Sequence, residues 1–304
     1  MRHARIGLAL LVFTLGAEAL FAQTSPPPHA AFSSFQGRIE GAVRPLATEP
    51  RFRPLSPQER LTQLEFVVGN MLFTVTHEMG HAVIGQMELP VLGREEDAAD
   101  SFAIIGALKI GTECSQGLLN AAAQAWFSHD RRDRKQGTQY AFYGEHGVNL
   151  QRGYQVVCLA VGSDPKKFSD LADRTDLPED RRESCRIDYN NTAWSWDTLL
   201  KPHLRTPDAP RQVIDAVYQE ATGPLAAYAR SFRDMQFLET VAEYFADKFA
   251  WPNPLTLEMK SCGQVNARWR PSIRTVELCY EMAEEYVRLY QDYGPDWMAE
   301  RPKR

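Results

Sequence analysis

Two histidines and a glutamate lie close together in the sequence His77-Glu78-Met79-Gly80-His81. On a helix, residues four apart project from the same face, so the two imidazoles can hold one Zn2+ ion. Glu78 then reaches a water on that ion and can act as the general base of a hydrolytic reaction. The spacing therefore predicts a zinc site, with His77 and His81 as metal ligands and Glu78 as the catalytic residue.

A catalytic zinc site normally has a third protein ligand, and acidic residues supply the candidates. Position 87, where a metzincin carries a third histidine, is Met87. Glu96 and Asp100 lie four residues apart, so we expect Glu96 to ligate the metal and Asp100 to orient a ligand imidazole. Glu95 and Glu243, the latter in a second E-x-x-A-D sequence, stay open as rivals. The short turn between His81 and Glu96 favours Glu96 as the third ligand, because closing a short loop costs little entropy.

Two predicted helices position these residues. Ser56 and Glu59 form a capping-box pattern around Pro57, and apolar residues recur at helical spacing from there to about residue 86. A second helix is predicted from about Arg94, where three acidic residues crowd the first turn. A short loop, residues 87–94, separates the two, so we expect an antiparallel pair.

The rest of the chain is predicted to be mostly helical, with weak strand signals. We therefore expect a mainly α fold, with α+β as the alternative. Its core would be zincin-like, with the HExxH helix packed on the antiparallel glutamate helix. The supporting segments are helices at 213–229, 235–250 and 276–290, a best strand signal at 154–161, and long loops at 163–211 and 251–272.

The N-terminus predicts export. Arg2 and Arg5 precede a short apolar run and small residues, which is typical of a secretory signal peptide over residues 1–22. Residues 23–55, rich in Pro, Ala and Ser, are predicted to be a flexible leader, and 56–304 a single metallopeptidase domain. We expect a periplasmic or secreted protein with no stable membrane span after signal cleavage.

The chain has five cysteines, and export would place them where disulfides persist. Pairing in sequence order would join Cys158 to Cys185 and Cys262 to Cys279. Cys114 would then stay free. Other pairings remain open, because spacing alone does not determine connectivity.

Composition narrows the class of partner. The chain has 34 basic and 39 acidic residues among 304, a net charge of -5, and no long basic run. Nucleic acid is therefore excluded as an expected partner, and a peptide or protein substrate is favoured. Glu145 and His146, with Arg152, could bind a substrate carboxylate or stabilise a tetrahedral intermediate, or could form a local hydrogen-bond cluster. The oligomeric state is left open.

Short motifs recur along most of the chain in an order and spacing that a known family shares. They are His77–His81, Gly93–Asp100, Glu145-His146, Gln151-Arg152, Cys158, Gly162–Pro165, Cys185, Pro254–Leu257, Cys262-Gly263, Asn266-Ala267 and Cys279–Glu281. Together they resemble an uncharacterised family of bacterial metallopeptidases, exported proteins defined by a domain of unknown function. The resemblance covers most of residues 56–290 and implies peptidase activity. The site is also similar to that of gluzincins and ImmA/IrrE-type peptidases, in which a glutamate in an E-x-x-A-D/N helix completes the zinc shell. That similarity supports Glu96 and Asp100, although the separation of His81 and Glu96 is shorter than is usual in gluzincins.

Two other functions stay open at this point. A zinc amidohydrolase acting on a cell-wall or other non-protein amide would use the same residues. A catalytically inactive binding module, in which zinc only stabilises the fold, would need the ligands but no base. Glu78 is intact and no cysteine near the motif could close the zinc shell, so we favour an exported zinc metallopeptidase that hydrolyses peptide bonds.

Overall fold

The computed structural model describes residues 30–294. Within that range ten α-helices accompany a four-stranded sheet. The predicted mainly α fold, with α+β as its alternative, is confirmed. In chain order the elements are α1 (Ala30–Ala42), α2 (Pro57–Gln86), α3 (Glu95–Ile110), α4 (Glu113–Gln136), α5 (Asn149–Ser163), α6 (Ser169–Arg174), α7 (Glu179–Leu200), β1 (Ile214–Tyr218), α8 (Ala226–Asp234), α9 (Phe237–Lys248), β2 (Leu255–Lys260), β3 (Ala267–Arg270), β4 (Thr275–Cys279) and α10 (Tyr280–Tyr293).

Helix α2 is a single element of 30 residues. The Ser56 hydroxyl accepts a hydrogen bond from the Glu59 amide, and the Glu59 carboxylate accepts one from the Ser56 amide. This predicted capping box satisfies amides that the first turn leaves without partners. Most side chains between Leu64 and Ile84 are buried, because α2 packs against α3, α4, α10 and the strands β3 and β4.

Helices α2 and α3 form the predicted antiparallel pair. His77 contacts Asp100, and Gly80, further along α2, contacts the earlier residue Ala99, so the two helices run in opposite directions. A Cβ atom on Gly80 would lie 3.1 Å from the Cα atom of Ala99. The small residues at this crossing let the two backbones approach, which brings the acidic first turn of α3 to the histidines of α2.

The sheet has the strand order β1-β2-β4-β3. Strands β1, β2 and β4 are parallel, and β3 is antiparallel to β4. The edge strand β3 packs against α2, where the Trp269 amide donates a hydrogen bond to the Glu78 carboxylate. The sheet thereby gives the HExxH helix a backbone partner.

Several local predictions are wrong. The best strand signal, 154–161, lies in α5, where it packs against α4 and α7. The stretches 213–229 and 276–290 each begin as a strand, β1 or β4, before a helix starts. The expected loops at 163–211 and 251–272 contain α7 and strands β2 and β3. Periodicity does not distinguish a buried strand from a buried helix in a short apolar run. The elements that pack against the run therefore determine its secondary structure.

The two disulfides pair the cysteines in sequence order, which confirms that connectivity. Cys158 bonds to Cys185 and links α5 to α7. Cys262 bonds to Cys279 and links the segment after β2 to the end of β4. Cys114 is free and buried. Each bridge therefore ties an element of the fold to a near neighbour in sequence.

Residues 30–55 differ from the flexible leader that was predicted for 23–55. Helix α1 and the turns after it bury Phe35, Leu46 and Phe52 completely. Helix α1 packs against α8 and α9, which composition could not reveal because the apolar residues are few and lie between polar ones. The predicted signal peptide and residues 23–29 lie outside the described residues. No helix in the range 30–294 has the length and apolar character needed to cross a membrane.

The burial of α1 is testable by substitution. We expect Phe35→Ala to lower the free energy of unfolding by about 3–5 kcal/mol, because it removes a fully buried ring. Glu40→Ala, at an exposed position of the same helix, should change it by no more than about 0.5 kcal/mol. Urea unfolding followed by circular dichroism measures both. Equal, small effects would mean that α1 is not packed on the core.

Candidate metal centre

Four side chains from α2, α3 and the loop before α5 converge where α2 crosses α3. Nε2 of His77 lies 3.2 Å from Nε2 of His81 and 3.1 Å from Oε2 of Glu96. Nε2 of His81 lies 3.5 Å from the same Glu96 oxygen. Nε2 of His146, which was predicted as a substrate contact, lies 2.7 Å from it. The fold thus brings together the three predicted ligands and adds a third imidazole.

These separations fit a tetrahedral metal site. Zinc bonds of 2.0–2.1 Å place neighbouring ligand atoms of a tetrahedron about 3.3 Å apart. The donor atoms of His77, His81 and Glu96 lie 3.1 to 3.5 Å from one another, so they match one face of such a tetrahedron. The donor atoms of His77, Glu96 and His146 also lie within 4.8 Å of one another. The residues present therefore fit a divalent metal ion.

Each α2 imidazole is also held at its second nitrogen. Nδ1 of His77 lies 2.8 Å from Oδ1 of Asp100, and Nδ1 of His81 lies 2.7 Å from Oε1 of Glu95. A carboxylate on Nδ1 fixes the ring and directs the lone pair of Nε2 toward a metal. Asp100 therefore lies at the second nitrogen of a predicted ligand imidazole, the position that its spacing from Glu96 predicts. Glu95, a rival for the third ligand, instead contacts the far side of a histidine.

Arg152 holds Asp100 in place. Its Nε and Nη2 atoms donate to the two carboxylate oxygens of Asp100, each at 2.7 Å. The guanidinium carbon lies 3.7 Å from the centre of the Trp126 ring, so the planar group is also stacked. For Arg152, with Glu145 and His146, the sequence left a substrate contact and a local hydrogen-bond cluster open. Its contacts with Asp100 and Trp126 are of the second kind. The fork geometry makes it a positioning residue for His77.

Partner contacts outweigh burial in setting the charges of the cluster. Burial alone would lower the pKa of His77, but hydrogen bonds with Asp100 and Glu96 raise that pKa to about 9. Burial would raise the pKa of Glu96, yet hydrogen bonds from the three histidines hold it well below its ordinary value. A metal ion competes with protons for the same nitrogen lone pairs, so metal binding at this cluster releases protons.

Glu78 is 8% exposed and is held by the sheet. Burial raises the pKa of its carboxyl group, and the nearby positive charges of His77 and His81 partly oppose the rise. Its Oε2 atom accepts a hydrogen bond from the Trp269 amide at 2.7 Å. A carboxylate that is held in place and more basic than usual suits a general base.

The cluster opens into a cleft with a volume of about 550 Å³. Its walls are the first turn of α3, the loop before α5 and strand β3. Arg94 and Arg268 bring positive charge to the cleft, and Glu95 and Glu145 bring negative charge. Glu145 is exposed, and His146 is 49% exposed at its side chain. Both therefore stay accessible to a substrate, and their predicted role as substrate contacts remains a prediction.

A buried carboxylate supports the β3 wall. Glu277 on β4 is 1% exposed and pairs with Lys260, Arg268 and Arg270 at 2.6 to 2.8 Å. Burial would raise the pKa of Glu277, but the three cations outweigh it and lower the pKa to about 2. The charge of Glu277 thus holds Arg268 on the strand that lines the cleft.

The rival glutamate on α9 does not join the cluster. Glu243 is exposed, and it does not line the cleft. Asp247, the acid four residues after it, pairs with Arg211 at 2.5 Å and has no histidine partner among residues 30–294. The repeated E-x-x-A-D spacing on α9 therefore belongs to a different surface of the fold.

Two tryptophans that no sequence motif singles out also shape the site. Trp269 lies 191 positions after Glu78, and Trp126 meets Arg152 from a different helix. Neither contact has a sequence signal, because the contacting group is a backbone amide in one case and a ring face in the other. Tertiary packing alone brings them to the site.

Comparison with family models matches residues 48–200 and 218–300 to a family described as "Putative metallopeptidase". No curated protein and no solved structure matches the chain. The matched ranges cover most of the chain and include α2, α3, the loop before α5 and strand β3, which together form the donor cluster and its cleft. The family resemblance seen in the sequence is thereby confirmed, and the chain belongs to this metallopeptidase family of unknown function.

Proposed function

We propose that this protein is an exported zinc metallopeptidase that hydrolyses peptide bonds. The observation that carries the proposal is the convergence of His77, His81 and Glu96 beside the buried carboxylate of Glu78. A site that only stabilised the fold would need the three ligands and no base. The arrangement therefore supports hydrolysis, and membership of a metallopeptidase family supports a peptide bond as the target.

His77, His81 and Glu96 would hold the ion, since two imidazoles and a carboxylate are a zinc donor set that leaves room for a water. When bound, zinc lowers the pKa of a water and polarises a carbonyl group. Asp100 and Glu95 keep the two imidazoles oriented through their second nitrogens. The hydrogen bonds of Asp100 and Glu95 are present together with the close approach of the three donor atoms.

Glu78 takes the proton of the attacking water and passes it to the amine that leaves. The Trp269 amide keeps one oxygen of Glu78 in place during both steps. His146, beside Glu96 and half exposed, can donate a hydrogen bond to the carbonyl oxygen as negative charge develops on it. Glu145 is placed to contact a positive or polar group of the substrate.

The open cleft favours an extended peptide or protein chain as substrate. Within the described residues β3 pairs only with β4, and its residues Ala267, Arg268 and Trp269 line the cleft beside Glu78. A zinc amidohydrolase acting on a cell-wall or other non-protein amide is the second candidate, because the same cleft admits a shorter amide. An inactive zinc-stabilised module is the third candidate.

Export accounts for the two disulfides. Bridges such as Cys158–Cys185 and Cys262–Cys279 persist in an oxidising compartment. Together with the predicted signal peptide over residues 1–22, they support a periplasmic or secreted protein. Fractionation of expressing cells, with an antibody to the C-terminal part of the chain, tests this location.

The third ligand is tested by metal content. We expect the purified protein to hold one zinc ion per chain, and Glu96→Ala to lower zinc affinity at least tenfold, because a direct ligand counts for more than an outer partner. Glu243→Ala is the matched control, since it removes an exposed glutamate from another helix. Mass spectrometry of metal content and chelator competition measure both. Zinc kept in Glu96→Ala but lost in Glu243→Ala would move the ligand to α9.

The base is tested by Glu78→Gln, which preserves shape and removes the proton acceptor. We expect zinc content to stay unchanged and kcat on casein or a peptide library to fall about 10²- to 10⁴-fold. Glu243→Gln should leave both values unchanged. Full activity in Glu78→Gln contradicts the mechanism. Hydrolysis confined to cell-wall amides favours the amidohydrolase, and bound zinc without any hydrolysis favours the inactive module.

The positioning role of Arg152 is tested by Arg152→Lys, which keeps the charge and breaks the fork onto Asp100. We expect zinc affinity to fall about 10- to 100-fold while the helical circular dichroism signal is retained. Arg181→Lys, at a surface ion pair with Asp188, is the control and should bind zinc normally. Unchanged zinc affinity in Arg152→Lys would show that the orientation of Asp100 does not depend on the fork.

A further inference from the structure

A second cavity lies next to the metal centre, on the same two helices, and we call it the α3 cavity. Its volume is about 120 Å³, and residues of α2, α3, α4, α7 and α9 line it. Thr76, which precedes His77, and Phe102, which follows Asp100 by two residues, are both in its wall. Apolar cavities of about 150 Å³ stay dry and bind benzene. The α3 cavity is therefore of a size for one small apolar group.

The wall of the α3 cavity is mostly apolar and rich in aromatic rings. Phe102 lies in a T-shaped contact with Trp196 and stacks against Phe245, and Phe245 stacks in turn against Phe249. Aromatic rings favour another ring in edge-to-face or offset packing. The wall therefore suits a phenyl-sized ligand group better than a polar one.

Two polar groups of α9 lie in this wall without a hydrogen-bond or close carboxylate partner among the described residues. Tyr244 is buried, and its hydroxyl makes no hydrogen bond within the described residues. Lys248, one turn later, has no carboxylate within 4.0 Å in the described part of the chain, and its Nζ atom lies 5.4 Å from the centre of the Tyr244 ring. Burial lowers the pKa of Lys248, which Asp197 partly opposes. Both side chains are donors that an acceptor in the cavity could satisfy.

The charges around the cavity leave one cation unmatched. Lys109 and Asp197, which also line it, form an ion pair with each other. Other polar groups of the wall have hydrogen-bond partners. The Trp196 indole N–H, for example, donates to the Ser101 hydroxyl. Lys248 therefore adds one positive charge to an otherwise neutral rim, and a ligand with one negative charge complements it.

We propose that the α3 cavity binds a small amphipathic monocarboxylate whose carboxylate accepts hydrogen bonds from Lys248 and Tyr244 and whose phenyl-sized apolar end lies among the aromatic rings. An uncharged hydrocarbon would leave the positive charge of Lys248 without an opposite charge. A dianion such as a phosphate monoester would bring one more charge than the rim can match. Binding is non-covalent, because an unactivated carboxylate does not react with a thiol such as that of Cys114 in the wall.

The test uses the full chain and 3-phenylpropanoate as the probe, with 3-phenylpropanol as its uncharged match. Isothermal titration calorimetry should show saturable binding of the acid, and the alcohol should bind at least tenfold more weakly. Lys248→Met should weaken binding of the acid at least tenfold and leave the affinity for the alcohol unchanged. Lys201→Met, at an exposed lysine, is the control and should bind like the wild type.

A second variant fills the cavity. Gly106 lines it, and a Cβ atom there would meet nothing within 4 Å, so Gly106→Leu should fold and should abolish binding of the acid. Gly37→Leu, at a helical glycine with equal free space outside the cavity, is the matched control. In the wild type the acid should also slow alkylation of Cys114, the one cysteine outside a disulfide.

The proposal is wrong if the wild type shows no saturable binding of the acid, if the alcohol binds as tightly as the acid, or if Gly106→Leu binds the acid normally. Binding is measured without reference to hydrolysis. The result therefore stands whether or not the protein cleaves peptides.

Discussion

The buried carboxylate of Asp100 is the contact on which the candidate metal centre depends. It is 2% exposed, and it joins three helices, because His77 lies on α2, Asp100 on α3 and Arg152 on α5. Burial raises the pKa of the Asp100 carboxyl, but the hydrogen bonds from His77 and Arg152 outweigh it and lower that pKa below its usual value. A buried charge of this kind is stable only with both partners in place, so loss of either would disturb the ring that faces the metal position.

Features far from the donor atoms bear on this contact. Gly80 and Ala99 set the distance between α2 and α3, and a side chain at Gly80 would separate the helices that carry the ligands. Helix α5, which carries Arg152, is tied to α7 by Cys158 and Cys185. A Cβ atom on Gly162 would overlap the Cys185 carbonyl oxygen, so α5 and α7 are in direct backbone contact. The orientation of one imidazole thus rests on packing over much of the helical part of the fold.

The same pair of helices borders two very different environments. On one side, histidines and carboxylates converge in a polar cleft, where hydrogen bonds outweigh burial in setting the pKa values of His77 and Glu96. On the other, the α3 cavity is lined by aromatic rings, and Lys248 and Tyr244 provide its unmatched donors. Glu78 lines the polar cleft, where it is buried and accepts a hydrogen bond from the Trp269 amide of β3. Burial that makes a carboxylate more basic, with one fixed backbone partner, is what general-base chemistry requires.

The sequence alone determined the parts of this protein that depend on local spacing. A capping box at Ser56, histidines four residues apart and an acidic helix start after a short loop led to the α2–α3 pair, to Glu96 and to Asp100, because each is a neighbour along a helix or across a short turn. Tertiary structure alone decided the contacts between distant residues, namely the fork of Arg152 on Asp100, the Trp269 amide on Glu78 and the approach of His146 to Glu96. It also decided which apolar runs became β1 and β4 and that α1 is packed, because those outcomes depend on which surfaces meet. Local patterns encode local geometry, whereas the environment of a buried charge is set by whichever elements pack around it.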